Sequence, residues 1–260
     1  MTAVRPRRVR RQPFRASRRL VTAGLRAGRR LVPMYGLVEV DVTRARKALA
    51  ENDPPLSMTA FVVASVARAA AEYPQVHAYR NWRGRLVIHS HVDVITLVEV
   101  PTAHGPIGRP HVLHDADIRS VADLTADLRR AQHEPGANRN RWMDRATPVV
   151  TLIPGALWVM YAVMARSVAV RQRIGTVAVT AVGMFAGGGG FGITPMTVAS
   201  LEIVVGGMTQ RPRAIDGQVE IRDVLDLTLT IDHRVVDGAP ATRFGARFRE
   251  LLETAAVIPD

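Results

Sequence analysis

The sequence predicts an α/β (α+β) two-layer sandwich, in which helices cover a mixed β-sheet. Segments with a helical spacing of apolar residues and segments with strand-like alternation both occur along the 260 residues. They do not alternate strictly, as the elements of a doubly wound parallel fold would. Hydrophobic residues make up 47% of the chain, which is enough to form a sizeable core.

The N-terminal elements are predicted from charge and capping residues. Residues 1–17 are basic and are expected to form a flexible arm, so the folded domain is predicted to span residues 18–260. Ser17 can cap a helix over residues 18–30. Apolar and acidic residues then alternate over residues 37–42, which favours a strand.

The remaining elements follow from the same kinds of pattern. Thr43 can cap a helix over residues 44–51. Asp216 and Gly217 are typical of a hairpin turn. We predict further helices at 59–71, 117–132 and 240–254, a hairpin of strands at 85–89 and 92–100, and strands at 176–182, 198–206 and 226–231.

One apolar segment raises the question of a membrane. Residues 148–165 carry no charge over 18 residues, which is the lower limit for crossing a bilayer. Pro154 and Gly155 interrupt the segment early and leave a shorter apolar helix that ends near Arg166. A buried or surface-packed helix is therefore favoured over a membrane span, while peripheral membrane contact stays open.

The formal net charge is +12, and the excess is concentrated near the N-terminus. Residues 5–30 contain eleven arginines and no acidic residue. Such a run can bind nucleic acid or an anionic membrane surface, and that binding would fall steeply with salt. Because no platform of aromatic residues accompanies the arginines, a nucleic-acid binder is not favoured.

Cysteine is absent, which excludes disulfides, cysteine zinc ligands and a cysteine nucleophile. No apolar stretch follows the basic run, as a signal peptide would require, so we expect a cytoplasmic protein. Two histidine pairs, His89 with His91 and His111 with His114, lack a third ligand at suitable spacing. We interpret them as surface histidines and predict no metal site.

The strand at 226–231 runs directly into Asp232 and His233, with Asp237 four residues after the histidine and Gly238 behind it. An imidazole, whose ordinary pKa is about 6.5, is available as a neutral base near pH 7. Within hydrogen-bond reach of a thiol it could take the proton as the sulfur attacks. On this pattern alone a structural histidine is the better interpretation, because three fixed positions recur by chance.

The histidine belongs to a wider set of motifs. They are DHRVVDGAPATRF at 232–244, GTVAVTAVGMF at 175–185, VDVT at 40–43, a helix-like segment at 59–78 and a segment at 18–33 that opens near two arginines and ends in proline. Together they resemble the 2-oxoacid dehydrogenase acyltransferases, the E2 components related to chloramphenicol acetyltransferase. The resemblance covers about residues 18–255 and implies a chloramphenicol-acetyltransferase-like fold.

The resemblance implies roles for particular residues. His233 corresponds to the general base that deprotonates the attacking thiol, and Thr180 to a serine whose hydroxyl hydrogen-bonds the oxyanion. Asp237 would hold the architecture of the site through Arg19 or Arg18. The motif neighbours Gly238, Asp232 and Arg234 would support it.

The family also implies partners. Its site lies at a subunit interface of a homotrimer, which can assemble into a larger multimer, with the base and the oxyanion donor on different chains. Coenzyme A would be the substrate that carries the acyl group, with its phosphates near cationic side chains that the sequence does not identify. A lipoyl group would have to come from another protein, since neither a lipoyl domain nor a peripheral subunit-binding domain accompanies the core.

The sequence departs from the family pattern at several positions. Ala181 replaces an asparagine, Met34 replaces a histidine, and four glycines occur in a row at 187–190. The apolar segment at 148–165 lies where the family has a polar one. We therefore expect a CoA-dependent acyltransferase and keep open two alternatives: transfer to a small amine or alcohol, and a non-catalytic trimeric scaffold.

Overall fold

The computed structural model describes residues 9–14, 16–100, 107–133, 150, 153, 155–183 and 188–258. The start of the predicted apolar segment and about half of the predicted N-terminal arm lie outside these ranges. The helices are α1 (Ala16–Gly28), α2 (Thr43–Ala50), α3 (Met58–Glu72), α4 (Val121–His133), α5 (Ala156–Arg166), α6 (Val168–Ile174) and α7 (Gly238–Glu253), with a 3₁₀ turn at Pro74–His77.

The strands form one mixed sheet and one small hairpin. They are β1 (Pro33–Asp41), β2 (Tyr79–Arg80), β3 (Leu86–Val87), β4 (Val94–Val100), β5 (Ile107–Leu113), β6 (Val177–Ala181), β7 (Leu201–Ile215) and β8 (Gln218–Asp232). The main sheet has the order β1-β8-β7-β6-β4-β5. The β4–β6 and β6–β7 pairs are parallel and the other pairs are antiparallel, which confirms the predicted mixed sheet.

Helices α3 and α7 pack against each other and against the sheet to form the core. Apolar residues lie on nearly every face of α3, and ten of its residues are buried. Helix α7 contributes Phe244 and Phe248, whose rings stack 6.1 Å apart at the centroids. Because both phenylalanines are fully buried, these two helices fix the segment that immediately precedes α7.

Helix α1 begins at Ala16, one residue before Ser17. The predicted cap at Thr43 is wrong. Thr43 is the first residue of α2, and its hydroxyl accepts a hydrogen bond from the Asp223 amide of β8 at 2.8 Å. The stronger cap is at α3, where the Ser57 hydroxyl accepts from the Ala60 amide.

The predicted hairpin of residues 85–89 with 92–100 is also wrong. Strand β3 pairs with β2, because Asn81 accepts hydrogen bonds from two amides of a tight turn that Gly84 closes with a φ of +71°. Strand β4 pairs instead with β5 and β6. Sequence analysis missed β5, an edge strand that tolerates Pro110 in its middle.

The apolar segment forms helix α5, which ends at Arg166 as predicted. Tyr161 of α5 donates a hydrogen bond to the Leu20 carbonyl of α1 at 3.0 Å, so the two helices are packed together. Within the described ranges, no helix has the length and apolar character needed to cross a bilayer.

Candidate active site

His233 lies in the turn between β8 and α7, and its side chain is exposed. Its Nδ1 lies 3.0 Å from the main-chain carbonyl oxygen of Val236. A carbonyl can only accept, so Nδ1 donates, and in the neutral ring Nε2 holds the free lone pair. The backbone of the turn thus occupies Nδ1 and leaves Nε2 as the nitrogen that can act as a base.

The neighbouring carboxylate anchors this turn. Asp232 is only 2% exposed, and it accepts hydrogen bonds from the Val32 amide at 3.1 Å and from the Arg234 guanidinium at 2.7 Å. The His233 amide in turn donates to the Val32 carbonyl at 2.8 Å. The segment before β1 therefore holds the backbone of His233 in place.

Asp237 and Gly238 lie at the start of α7. Asp237 is the N-cap residue by position, but its side chain makes no cap hydrogen bond. Among the described residues it also makes no ion pair with Arg18 or Arg19, so a pairing between Asp237 and an arginine stays a prediction for an assembled molecule. A Cβ added to Gly238 would meet nothing within 4 Å, so close packing does not require a glycine there.

Thr180 lies in β6 and is half-buried, and within the described part of the chain its hydroxyl makes no hydrogen bond. It pairs in register with Val204, which pairs with Thr228 of β8. His233 is five residues further along β8, at about 3.3 Å per residue, and two strand spacings of about 4.8 Å separate β6 from β8. The backbones of Thr180 and His233 in one chain are thus roughly 20 Å apart. They could act together only across a boundary between two chains.

The strand end that carries Thr180 is held by a polar network that sequence analysis missed. Asp226 is fully buried and accepts hydrogen bonds from the Gly190 amide at 2.6 Å and from Arg211 at 2.7 Å. Arg211 also pairs with Glu39 of β1. Charged residues alternate along β1, β7 and β8, and this pattern could have indicated the network. Which charges pair, however, depends on the register between the strands, which the sequence does not give.

The glycine-rich loop reaches the same strand end. A Cβ on Gly207 would lie 1.9 Å from the Gly188 carbonyl oxygen, so the loop packs directly on the β7 backbone. The register shift between Val205 and Met208 marks this place in the β7–β8 ladder. Backbone packed against backbone explains why glycine occurs on both sides.

A cavity of about 780 Å³ opens beside the His233 turn. Asp232 and Arg234, the residues on either side of His233, lie on its wall, as does Arg19 of α1. The other walls come from α5, the β2–β3 hairpin and the segment at 197–200. Of the residues singled out from the sequence, Asp232, Arg234 and Arg19 are thus brought together, while Thr180 and Asp237 are elsewhere.

A buried polar cluster lies behind the β2 wall of this cavity. Arg171 is 1% exposed, and its guanidinium lies 4.6 Å from the Tyr79 ring centroid. Burial lowers the pKa of Arg171 to about 10, so it is charged at neutral pH. His77 is also fully buried, with Nδ1 2.8 Å from the Thr176 hydroxyl, and burial lowers its pKa to about 4.

The four histidines considered as metal ligands are used in other ways. His89 is 8% exposed, so its interpretation as a surface histidine is wrong; its Nε2 lies 3.1 Å from the Tyr79 hydroxyl. His111 pairs with Asp127, and His114 and His91 lie beside Asp93. Among the described residues, no group of three or more histidine or acidic side chains is placed to hold a metal ion.

The sequence matches known proteins at the segment that builds this turn. Residues 169–258 match the family model for the 2-oxoacid dehydrogenases acyltransferase catalytic domain. The chain is 25% identical, over 224 residues, to the dihydrolipoyllysine-residue succinyltransferase component of the 2-oxoglutarate dehydrogenase complex of Haemophilus influenzae. That match covers 85% of this chain and 46% of the relative, so the chain spans about half the length of that protein.

Solved structures share the fold. A probable dihydrolipoamide acetyltransferase from Listeria monocytogenes superimposes with a TM-score of 0.69 at 21% identity, over 95% of each chain. A chloramphenicol acetyltransferase superimposes with a TM-score of 0.54 at 16% identity, over 88% of this chain and 93% of that one. The fold is therefore chloramphenicol-acetyltransferase-like, as predicted.

Proposed function

We propose that this chain, a relative of the 2-oxoacid dehydrogenase acyltransferases, moves an acyl group between coenzyme A and a thiol, with His233 as the general base. The observation that carries the proposal is the Nδ1 hydrogen bond of His233 to the Val236 carbonyl, which leaves Nε2 free to accept a proton. The hydroxyl of Thr180 and the structural neighbours are consistent with the same chemistry.

The reaction is a direct transfer. As the sulfur of the acceptor thiol attacks the thioester carbonyl, its proton moves to Nε2 of His233. The carbonyl oxygen becomes an oxyanion, to which the Thr180 hydroxyl of a second subunit donates a hydrogen bond. Collapse of this intermediate breaks the bond between carbonyl carbon and coenzyme A sulfur, and the leaving thiolate takes the proton back from Nε2. No acyl-enzyme forms.

A site made by two chains requires an oligomer. The separation of about 20 Å between Thr180 and His233 in one chain supports a homotrimer, in which three equivalent boundaries would each form one site. Assembly of trimers into a larger multimer belongs to the same proposal. The role of Asp237, through an arginine of a neighbouring subunit, is also part of it.

For the acceptor we propose a dihydrolipoyl group carried by another protein in the cytoplasm. The relative from Haemophilus influenzae is by name a component of a 2-oxoglutarate dehydrogenase complex. Ala181 in place of the usual asparagine favours a second candidate, a small amine or alcohol acceptor, because the polar surroundings of the oxyanion differ.

The test is an exchange assay with acetyl-CoA and dihydrolipoamide, and with a small amine in a parallel reaction. We expect thioester formation by the full chain and a loss of about 10²–10⁴-fold in His233→Ala. His133→Ala, an exposed histidine at the end of α4, is the matched control and should keep full activity. Equal exchange rates in the wild type and His233→Ala would overturn the role of His233, and no exchange in either protein would favour the scaffold alternative.

A further inference from the structure

The cavity beside the His233 turn has the size and lining of a small-molecule site. Its volume of about 780 Å³ falls in the range typical of ligand pockets, about 300–1,000 Å³. It is bounded by α1, α5 and the β2–β3 hairpin, and α5 comes from the apolar segment in which this sequence departs from the family pattern.

Two tryptophans supply apolar surface to this cavity. Trp82 is 58% exposed and Trp158 is 61% exposed, although both are large aromatic residues that proteins usually bury. An arginine lies over each ring, Arg166 over Trp82 at 5.3 Å and Arg30 over Trp158 at 5.6 Å. Exposed aromatic surface on a concave wall is typical of a site that receives an apolar body.

The charge of the wall is strongly positive. Six arginines line the cavity, against one carboxylate, Asp232, which is already paired with Arg234. In the ranges that the structure describes, the other five make no ion pair with a carboxylate: Arg19, Arg26, Arg30, Arg80 and Arg166.

A further positive charge lies behind the wall. The buried Arg171 donates a hydrogen bond to the Ser200 hydroxyl at 3.5 Å and stacks on Tyr79, and both of these partners line the cavity. Its Nε has no hydrogen-bond partner among the described residues. A buried cation without a counter-ion adds positive potential to the space in front of it.

We propose that this cavity binds an amphipathic organic anion, with an alkyl or aryl body against Trp82 and Trp158 and an anionic group among the arginines. Its wall includes both chain neighbours of His233, so the anion is bound beside the proposed base. The binding of the anion does not depend on the proposed function.

Binding can be measured with octanoate, and octan-1-ol serves as the uncharged counterpart. Two of the three tryptophans of the chain line the cavity, so intrinsic fluorescence of the full chain reports occupancy, and calorimetry gives an independent value. We expect octanoate to bind about tenfold or more tightly than octan-1-ol, because the arginines recognise only the anion.

Substitutions locate the site. Arg30→Gln and Arg166→Gln should each weaken octanoate binding, about tenfold when combined, while Arg173→Gln, an exposed arginine of α6 outside the cavity, should change nothing. His233→Ala should bind octanoate as tightly as the wild type. Equal binding of octanoate and octan-1-ol, or equal binding by the arginine variants, overturns the proposal.

Two further outcomes separate this inference from others. If coenzyme A displaces octanoate competitively, the cavity is the coenzyme A site and the proposal of a separate organic anion is wrong. If Arg30→Gln alters the sedimentation coefficient without altering octanoate binding, the surface is a subunit contact and the binding proposal fails. Octanoate binding without any exchange activity would retain the anion site and refute the proposed function.

Discussion

Asp232 and Val32 are joined by a hydrogen bond of 3.1 Å from the Val32 amide to the buried carboxylate, and the next residue of the turn bonds back to the Val32 carbonyl. This double connection ties the end of β8 to the entry of β1. Asp232 is therefore a positioning residue for the proposed base, because it contacts the Val32 backbone and the Arg234 side chain.

Replacing Asp232 by alanine should lower both stability and activity. The amide of Val32, a residue that is itself half exposed, loses a hydrogen bond to a buried carboxylate, so we expect a loss of about 1–3 kcal/mol in the free energy of unfolding by urea. Because the base is displaced and the acyl-CoA site is not, kcat should fall while KM changes little. Asp232→Asn should restore much of the stability, since an amide oxygen can still accept from Val32.

Arg234→Gln is the control for this prediction. It removes the guanidinium partner at 2.7 Å but leaves the Val32 contact, so its unfolding free energy should fall by less than that of Asp232→Ala, because the buried carboxylate keeps one donor. A loss in Arg234→Gln as large as in Asp232→Ala would assign the effect to the ion pair and contradict the role given to Val32.

The separation of Thr180 from His233 yields a complementation test. Thr180→Val should lower exchange activity by about 10²–10³-fold through loss of the oxyanion donor. When Thr180→Val and His233→Ala chains are unfolded together and refolded as a mixture, hybrid oligomers contain boundaries with one intact histidine and one intact threonine. Activity should return to a substantial fraction of the wild type.

Refolding each variant alone is the control, and neither should recover. A mixture that stays as inactive as its components, while sedimentation and differently tagged chains show that hybrids form, would mean that the two residues do not share a site.

The sequence predicted helices and strands correctly where the pattern of adjacent residues is sufficient to define the element. The apolar pattern of α3, the Pro-Gly break before α5 and the strand that delivers His233 were all readable from neighbouring residues. Elements that form only by pairing with residues far away in the sequence could not be predicted in this way. Strands β7 and β8 are each 15 residues long, far longer than predicted, because their polar outer halves are strands only by pairing with each other.

In the candidate site, too, features set by adjacent residues were predicted, whereas features set by the fold were not. The alternating pattern before Asp232 correctly placed His233 just past the end of a strand, but the hydrogen bond of its Nδ1 depends on the fold of the turn. The cavity was not predicted, because α1, α5 and the β2–β3 hairpin are far apart in sequence and individually give no sign of meeting.

His77 predicts a pH dependence of stability. Burial, and then the nearby His89, Arg171 and His91, lower its pKa from 6.5 to about 4 in the folded chain. The unfolded chain therefore binds this proton more readily. The contribution to stability is fully present above pH 6.5 and is lost as the pH falls towards 4, by about 3 kcal/mol in total.

The measurement is urea unfolding of the wild type and His77→Gln at several pH values between 7.5 and 4 (about half-unit steps). Carboxylates contribute equally to both proteins, so the difference between the two curves isolates the histidine. The difference should shrink or change sign as the pH falls. Parallel curves over the whole range would show that His77 titrates alike in the folded and unfolded chains.

Gly28, the last residue of α1, tests how that helix is seated over the cavity. A Cβ at this position would lie 1.8 Å from the Met196 carbonyl oxygen, a contact with backbone that cannot rotate away. Gly28→Ala should therefore displace α1 or the segment around Met196 and cost about 1–3 kcal/mol, more than the gain in helix propensity of about 1 kcal/mol. Since this segment leads to Ser200 on the cavity wall, octanoate binding should weaken as well.

Two other glycines make the comparison quantitative. Gly24→Ala would place its Cβ 3.0 Å from the Tyr161 ring, which can move slightly, so its effect on thermal unfolding should be smaller than that of Gly28→Ala. Gly188→Ala meets nothing within 4 Å and should change the midpoint least. The expected order of destabilisation is Gly28, then Gly24, then Gly188, and equal midpoints for Gly28→Ala and Gly188→Ala would show that α1 does not pack on the Met196 backbone.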